Sequence, residues 1–343
     1  MLLRDLGEWE LLKRLAIYAP PGQLDDDAAL LVERAGRTLV VNTDVLVEGL
    51  HFSDATMGPA DLGWRAAAAN LSDLAAMGCQ QVVGLTVGLV APGDTPWAWV
   101  EGVYSGLSEA LVRYGGVLLG GDCSGGAQRL LAVTALGHLG RGAIRRGDGR
   151  PGDALLSTGP HGLSRLGLAL LLQELPVQSG AAMIPALAER AVRAHRRPRP
   201  RLDAVAALAV SQPPHCPWRV GGTDSSDGLL AAVAAIARTS GCQALLQRGA
   251  LPLDAAMAGL PEAENWCLSG GEDFELVLAL APVWAQALVQ VLPGASLIGE
   301  LRATEAGTTP ATSVLWQDSD QPVTGSEGWC HYTKKAAPED GLQ

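Results

Sequence analysis

The sequence predicts an α/β fold in two domains, and three observations carry that expectation. At 343 residues the chain is long enough for one large domain or two. Short runs of Val, Leu and Ala alternate with alanine-rich helical stretches along both halves. Between the halves lies residues 140–152, a basic, glycine-rich segment that suits a boundary. The expected division is 1–140, then 141–334, with a disordered tail over 335–343.

Hydrophobic residues make up 48% and aromatics only 4%, so the cores must be built from Leu, Val and Ala. The net charge of −11 argues against a nucleic-acid surface. Its one exception is residues 190–201, where Arg193, His195, Arg196, Arg197 and Arg199 stand among prolines. A phosphate- or RNA-binding strip and a solvated connector are both open there. Pro198, Pro200 and the lack of interleaved aromatics favour the connector. No apolar run reaches the roughly 18 residues of a membrane span, and no signal peptide opens the chain. Six cysteines (79, 123, 216, 242, 267 and 330) form no C-x-x-C pair. The expectation is a reduced, soluble, cytoplasmic protein that binds neither membrane nor nucleic acid.

In chain order, residues 1–18 predict a helix with Leu6, Trp9, Leu12, Leu15 and Ile17 near one face, stopped by Pro20-Pro21-Gly22. Asp25, Asp26 and Asp27 follow, three adjacent carboxylates that need water or cations. Residues 37–41 read as a buried strand ending at Asn42-Thr43-Asp44, and 48–52 as a loop. The alanine-rich run 66–78 predicts a helix stopped by Gly78. Ala66, Asn70, Asp73 and Met77 share one face of it. Asp73 then sits among small apolar groups in the last turns, where the helix dipole disfavours an anion. A surface Asp on a fraying end is the plain alternative; a cation beside Asp73 removes both costs.

Residues 82–90 predict a strand and 97–114 a helix stopped by Gly115-Gly116. Residues 117–119 read as a third buried strand ending at Gly120-Gly121-Asp122, and 130–139 as a fourth. Asp44, Asp122 and Asp73 thus fall at the ends of buried elements, where ligands of α/β folds gather. Gly147, Gly149 and Gly152 spell G-x-G-x-x-G, but a strand (154–157) follows where a helix is needed, so the dinucleotide reading fails. It leaves Arg145 and Arg146 as candidate phosphate partners. Helices are expected over 159–172 after a turn, 185–195, 203–210, 230–238 and 282–292, and strands over 243–246, 276–281 and 296–298. Ordinary helix-start capping accounts for part of Asp224-Ser225-Ser226-Asp227. Ser269 to Glu275 carries glycines that let a backbone approach a ligand.

The unusual acids are Asp26, Asp27, Asp44, Asp73, Asp122, Asp224, Asp227 and Glu272. No Cys/His cluster of zinc spacing accompanies them, so oxygen ligands point to Mg²⁺ or Ca²⁺. No EF-hand spacing exists. Mg²⁺ takes few carboxylates per ion and arrives with phosphates, so scattered aspartates suggest several ions and a polyphosphate. The chain has no Walker A loop, no protein-kinase His-Arg-Asp or Asp-Phe-Gly set and no Gly-x-Ser-x-Gly elbow.

Six ordered blocks carry a resemblance. They are Asp26-Asp27-Ala28-Ala29; Thr43-Asp44 with Glu48-Gly49-Leu50-His51-Phe52; Asn70 to Gly78; Gly120-Gly121-Asp122; Asp224 to Leu229; and Gly270 to Leu276. Together, from residue 24 to about 332, the chain resembles the thiamine-monophosphate kinases of the aminoimidazole ribonucleotide synthetase superfamily. The resemblance implies an N-terminal α/β domain whose sheet pairs across a homodimer, a C-terminal α/β domain, and ATP with several Mg²⁺ between them. It implies transfer of the ATP γ-phosphoryl group to thiamine monophosphate, giving ADP and thiamine diphosphate. Asp27, Asn42, Thr43, Asp44, Asp73, Asp122, Asp224 and Asp227 are the implied metal ligands. Gly121, Asp122, Arg146, Ser226 and Tyr104 are the implied nucleotide contacts. His51, Glu272 and Trp329 are the implied thiamine-phosphate contacts, Trp329 offering a ring face to the thiazolium cation. The chain departs from the family's pattern at Gln23-Leu24-Asp25, where Gly-x-Gly is usual, and at Asn42, where Ser is common. The acceptor is already an anionic phosphate, so no general base is expected. Selenophosphate synthesis fits poorly, since the first cysteine is Cys79, and the hydrogenase-maturation enzyme, which carries a C-terminal cysteine, fits poorly beside Gly341-Leu342-Gln343. A non-catalytic nucleotide-binding module is the alternative from another class.

Overall fold

A computed structural model describes residues 26, 29–32, 36–175, 184–304 and 313–325. The expected N-terminal helix, the expected tail, Asp27 and Trp329 lie outside them.

The N-terminal half is one five-stranded sheet under two helices. In chain order it runs β1 (Ala29–Val32), β2 (Thr38–Val47), α1 (Pro59–Ala76), β3 (Cys79–Ala91), α2 (Trp97–Tyr114), β4 (Val117–Gly125) and β5 (Leu130–Leu139). The spatial order is β1-β2-β5-β3-β4, antiparallel except for the β3–β4 pair. Val40, Leu46, Leu85, Val87, Leu131 and Val133 turn from the sheet to the helices and form its core with Leu71, Leu74, Val103 and Leu107. Alternation leaves the opposite face, with Thr43, Val45, Ala132 and Thr134, uncovered by any described element.

Two expectations change here. The 37–41 strand continues through Asn42-Thr43-Asp44 to Val47, so Asp44 is a mid-strand residue. The antiparallel partner β5 sustains hydrogen bonding that far. The 117–119 strand is longer too, but it is not buried: all nine residues of β4 are exposed. It pairs with β3 on one side only, and an apolar run does not reveal whether its strand is central or at an edge.

The C-terminal half runs β6 (Ala154–Ser157), α3 (Leu163–Leu171), α4 (Pro185–Arg196), α5 (Leu202–Ser211), β7 (Gly221–Asp224), α6 (Leu229–Thr239), β8 (Cys242–Leu246), α7 (Ala263–Ser269), β9 (Leu276–Leu280), α8 (Pro282–Val291), β10 (Ser296–Ala303) and β11 (Val314–Trp316). Its six strands order as β11-β8-β10-β6-β9-β7, and β8 and β9 are buried at every residue. Sequence patterning missed α7, β7 and β11, each seven residues or shorter and too brief to show a period.

Helix α1 joins the halves. Twelve of its eighteen residues are buried. Its middle packs on the N-terminal core, and Ala75 and Ala76 pack among Ile144, Leu156, Val205 and Leu208. It crosses α2 closely enough that a Cβ at Gly63 or Gly106 would strike backbone of the other helix. The basic strip 190–201 is not a solvated connector but a seam. Arg197 pairs with Asp61 and Glu109, Arg196 donates to the Thr56 carbonyl at 2.8 Å, and Trp64 Nε1 donates to the Pro198 carbonyl at 2.9 Å. Arginines bind carboxylates and carbonyls with their fork while their stems pack on apolar surface, so Arg196 and Arg197 fasten this seam.

Candidate active site

The site grows from two residues on α1. Asn70 is wholly buried; its Nδ2 donates to the Ala66 carbonyl one turn back at 2.9 Å. That orients its Oδ1 to accept from Asn42 Nδ2 at 3.1 Å and from the Asp44 backbone N–H at 3.2 Å. Asn42 Nδ2 also donates to Asp73 Oδ2 at 2.7 Å. Strand β2 thus presents Asn42 and Asp44 to α1 on one pleat face. Asn42 Oδ1 is buried without a hydrogen-bond donor. A buried orphan acceptor costs about 1–3 kcal/mol, and an amide oxygen beside carboxylates is a donor set that a hard cation takes.

The next residue of α1 reaches the other half. Ser72 Oγ donates to Asp224 Oδ2 at 2.7 Å, and Ser226 Oγ donates to Asp224 Oδ1 at 3.1 Å. Burial pushes the Asp224 carboxyl above the usual carboxylate range, against the pull of Ser72, Ser226 and Arg146, with Asp227 adding to the rise. A cation nearby would hold it ionised. Arg146 stands on the same side, its Nε donating to Thr223 Oγ1 at 3.2 Å and its backbone N–H to Asp26 Oδ1 at 2.9 Å.

A third group comes from the loop before β9. Gly271, Glu272 and Phe274 have φ of 66°, 59° and 54°, a left-handed path that non-glycine residues rarely take. The Glu272 backbone N–H donates to the Ser226 carbonyl at 2.7 Å. Its carboxylate pairs with Arg65 of α1 and lies 3.7 Å from His195 Nδ1. Burial pushes Glu272 up, but Arg65, His195 and His51 outweigh it and hold the carboxyl below its ordinary range. His51 sits on the loop after β2, where its Nδ1 accepts from the Val47 N–H at 3.0 Å. Asp273 caps α3 instead, accepting from the N–H groups of Gly162 (2.6 Å) and Ser164 (2.9 Å), and burial pushes it up to about 7.

One network therefore gathers Asn42, Asp44, Asp73, Asp224, Asp227, Ser226, Arg146, His51 and Glu272. Four expected residues stand apart. The Thr43 side chain is on the open sheet face, its Oγ1 2.7 Å from Thr134 Oγ1. Gly121 and Asp122 lie on exposed β4, two strands beyond β5 in the sheet order, and Tyr104 on α2 meets Cys123 there. Strands repeat about every 4.8 Å, so roughly 14 Å separates the Asp44 and Gly121 backbones along the sheet. Among the described residues no three His, Cys, Asp or Glu groups form one ion cage. The donors present suit Mg²⁺, which takes one or two carboxylates and leaves the rest to phosphates and water. Motif reading missed Arg65, Ser72 and His195. The available signal was a lone arginine directly before the alanine-rich run 66–69.

This fold and donor set define a class. Residues 25–139 match the family described as AIR synthase related protein, N-terminal domain. Over 301 residues the chain is 48% identical to the thiamine-monophosphate kinase of Prochlorococcus marinus, covering 88% of this chain and 90% of that one. It is 46% identical to that of Synechococcus elongatus, covering 96% and 98%. The solved structure described as AaThiL complexed with AMPPCP and TMP superposes with a TM-score of 0.81 at 27% identity, over 97% of this chain and 99% of that one. The chain belongs to the thiamine-monophosphate kinase family.

Proposed function

We propose that the protein transfers the γ-phosphoryl group of ATP to thiamine monophosphate, giving thiamine diphosphate and ADP. The carrying observation is that one helix, α1, gathers the acids of both halves, Asp73 and Asp44 on one side and Asp224 and Glu272 on the other. The family relative bound to an ATP analogue and TMP supports the same pair of ligands.

Asp27, Asn42, Thr43, Asp44, Asp73, Asp122, Asp224 and Asp227 would hold Mg²⁺, and Gly121, Asp122, Arg146, Ser226 and Tyr104 the nucleotide. Mg²⁺, when bound, neutralises the phosphates that two polyanions bring together. The protein's own task is positioning. The Asn70 amide fixes Asn42 and the Asp44 backbone, Ser72 fixes Asp224, and Arg146 offers a cation to phosphate. His51, Glu272 and Trp329 would hold the acceptor. Its phosphate oxygen is anionic at neutral pH, so no side chain need remove a proton.

The reading includes a homodimer and a cytoplasmic setting. The open sheet face and the one-sided β4, with Val117, Leu118 and Leu119 between 45% and 59% exposed, are apolar surface of the kind that pairs. Thr43, Gly121, Asp122 and Tyr104 would be completed there. No described helix is long and apolar enough to cross a membrane, and five described cysteines are unpaired.

Purified protein with Mg²⁺, ATP and thiamine monophosphate should yield thiamine diphosphate, and Asp73→Asn should lower turnover at least about 100-fold. Nucleotide binding without product formation would refute the assignment in favour of a binding module.

A further inference from the structure

We propose that Arg65 is a positioning residue for the acceptor: through it, α1 sets the spacing between the Asp224 carboxylate and the Glu272 carboxylate. The proposal rests on the reading of Glu272 as an acceptor contact.

Arg65 is 3% exposed, which is unusual for a guanidinium and requires that its donors be satisfied. Two nitrogens have partners: one donates to the His195 carbonyl at 2.5 Å, and another pairs with Glu272. Both partners belong to the C-terminal half, whereas Arg65 belongs to a helix whose core contacts lie mainly in the N-terminal half. Glu272 keeps part of its surface open, with side-chain exposure of 37%, so the pairing leaves room for a second partner.

The helix geometry adds the second point. Ser72 follows Arg65 by seven residues, which is 20° short of two full turns, so the two share a face. Their separation along the axis is about 10 Å. Ser72 holds Asp224 at 2.7 Å, and Arg65 holds Glu272. A buried helix is stiff over two turns, so the carboxylate expected on the metal side and the one expected on the acceptor side are pinned at a fixed interval. The loop bearing Glu272 needs such a tether. Glu272 and Phe274 occupy left-handed backbone, and a path of that kind persists only where surroundings over-determine it. The backbone bond to Ser226 fixes one end, and Arg65 fixes the side chain. A fork matched to carboxylate geometry makes Arg, and not Lys, the suitable residue.

The test compares Arg65→Gln, Arg65→Lys, Glu272→Gln and the double variant Arg65→Gln/Glu272→Gln by steady-state kinetics in both substrates, beside thermal melts. Arg65→Gln should raise KM for thiamine monophosphate about tenfold or more while KM for ATP stays within about twofold. Arg65→Lys, which keeps the buried charge and guards against a folding failure, should recover only part of that loss. The double variant should be little worse than Glu272→Gln alone, because the two residues act as one unit. Equal rises in both KM values, full recovery by lysine, or additive losses in the double variant would each overturn the proposal and leave Arg65 a plain clasp between halves. If Glu272→Gln itself leaves KM for thiamine monophosphate unchanged, the acceptor reading of Glu272 fails first, and an inactive wild type would fault the proposed function instead.

Discussion

Strands β4 and β9 both open on a run of Val and Leu and live in opposite surroundings. β4 begins Val117-Leu118-Leu119 and β9 reads Leu276 to Leu280, yet every residue of β4 is exposed and every residue of β9 is buried. The difference extends to their halves. The C-terminal half pairs several of its buried ions internally: Arg201 with Glu275 and Asp203, and Arg219 with Asp153, while Asp273 caps α3. The N-terminal half leaves a sheet face and an edge strand open. Most strands of one half are closed off from solvent, whereas the other half leaves a face and an edge strand open. α1, packed against both, is where the two meet.

The strongest way to break this contrast is at that joint. Asn70→Leu removes the acceptor of the Asp44 N–H and one of the two acceptors of the Asn42 amide, without changing size much. Turnover should fall about 100-fold, and the protein should lose about 2 kcal/mol in chemical denaturation, since buried donors are left unpaired. Near-normal kinetics in that variant would show that the receptive side is not pre-set by α1.

The closed half can be probed with acid. Burial pushes His161 and His195 down to about 4 from 6.5. Below pH 6.5 the unfolded chain takes up protons that the folded chain refuses, so their contribution is complete above pH 6.5 and is lost as pH falls toward 4. By pH 5 each should cost about 2 kcal/mol of stability. Asp273, whose buried carboxyl sits at about 7, takes up its proton in the folded state over the same window and opposes the decline. Melts between pH 7 and pH 5 should therefore show His161→Phe losing about 2 kcal/mol less than the wild type. The same decline in the variant as in the wild type would show that His161 is not held neutral.

The smallest effect is expected on the open half. Leu118→Lys should weaken self-association by roughly tenfold in light scattering, because a symmetric contact would set two cations near each other. Each protomer should melt as before. An unchanged dissociation constant would move the dimer contact away from β4.

These contrasts also separate what was legible early from what was not. Helix 97–114 and strands 130–139 and 154–157 were readable to the residue, because glycines and charged turns bracket long periodic runs. The acids that gather around α1 were conspicuous as well, since carboxylates among small apolar residues stand out. Partnership was not readable. Nothing local distinguishes Asp73, tied to Asn42, from Asp122 on the far edge of the sheet, because that depends on strand order. Nor did any local signal show that Arg196 and Arg197 fasten the halves together, since their partners Thr56, Asp61 and Glu109 lie some 80–140 positions earlier.

By itself the amino-acid sequence determined the α/β character of the chain, the identity of its oxygen donors and its family likeness, since composition, periodicity and short motifs are local properties. The tertiary structure alone decided which face of β2 carries the donors, that β4 is an edge, and that Arg65 and Ser72 reach across to Glu272 and Asp224. Those outcomes depend on burial and strand pairing between distant segments, and no local run of residues encodes them.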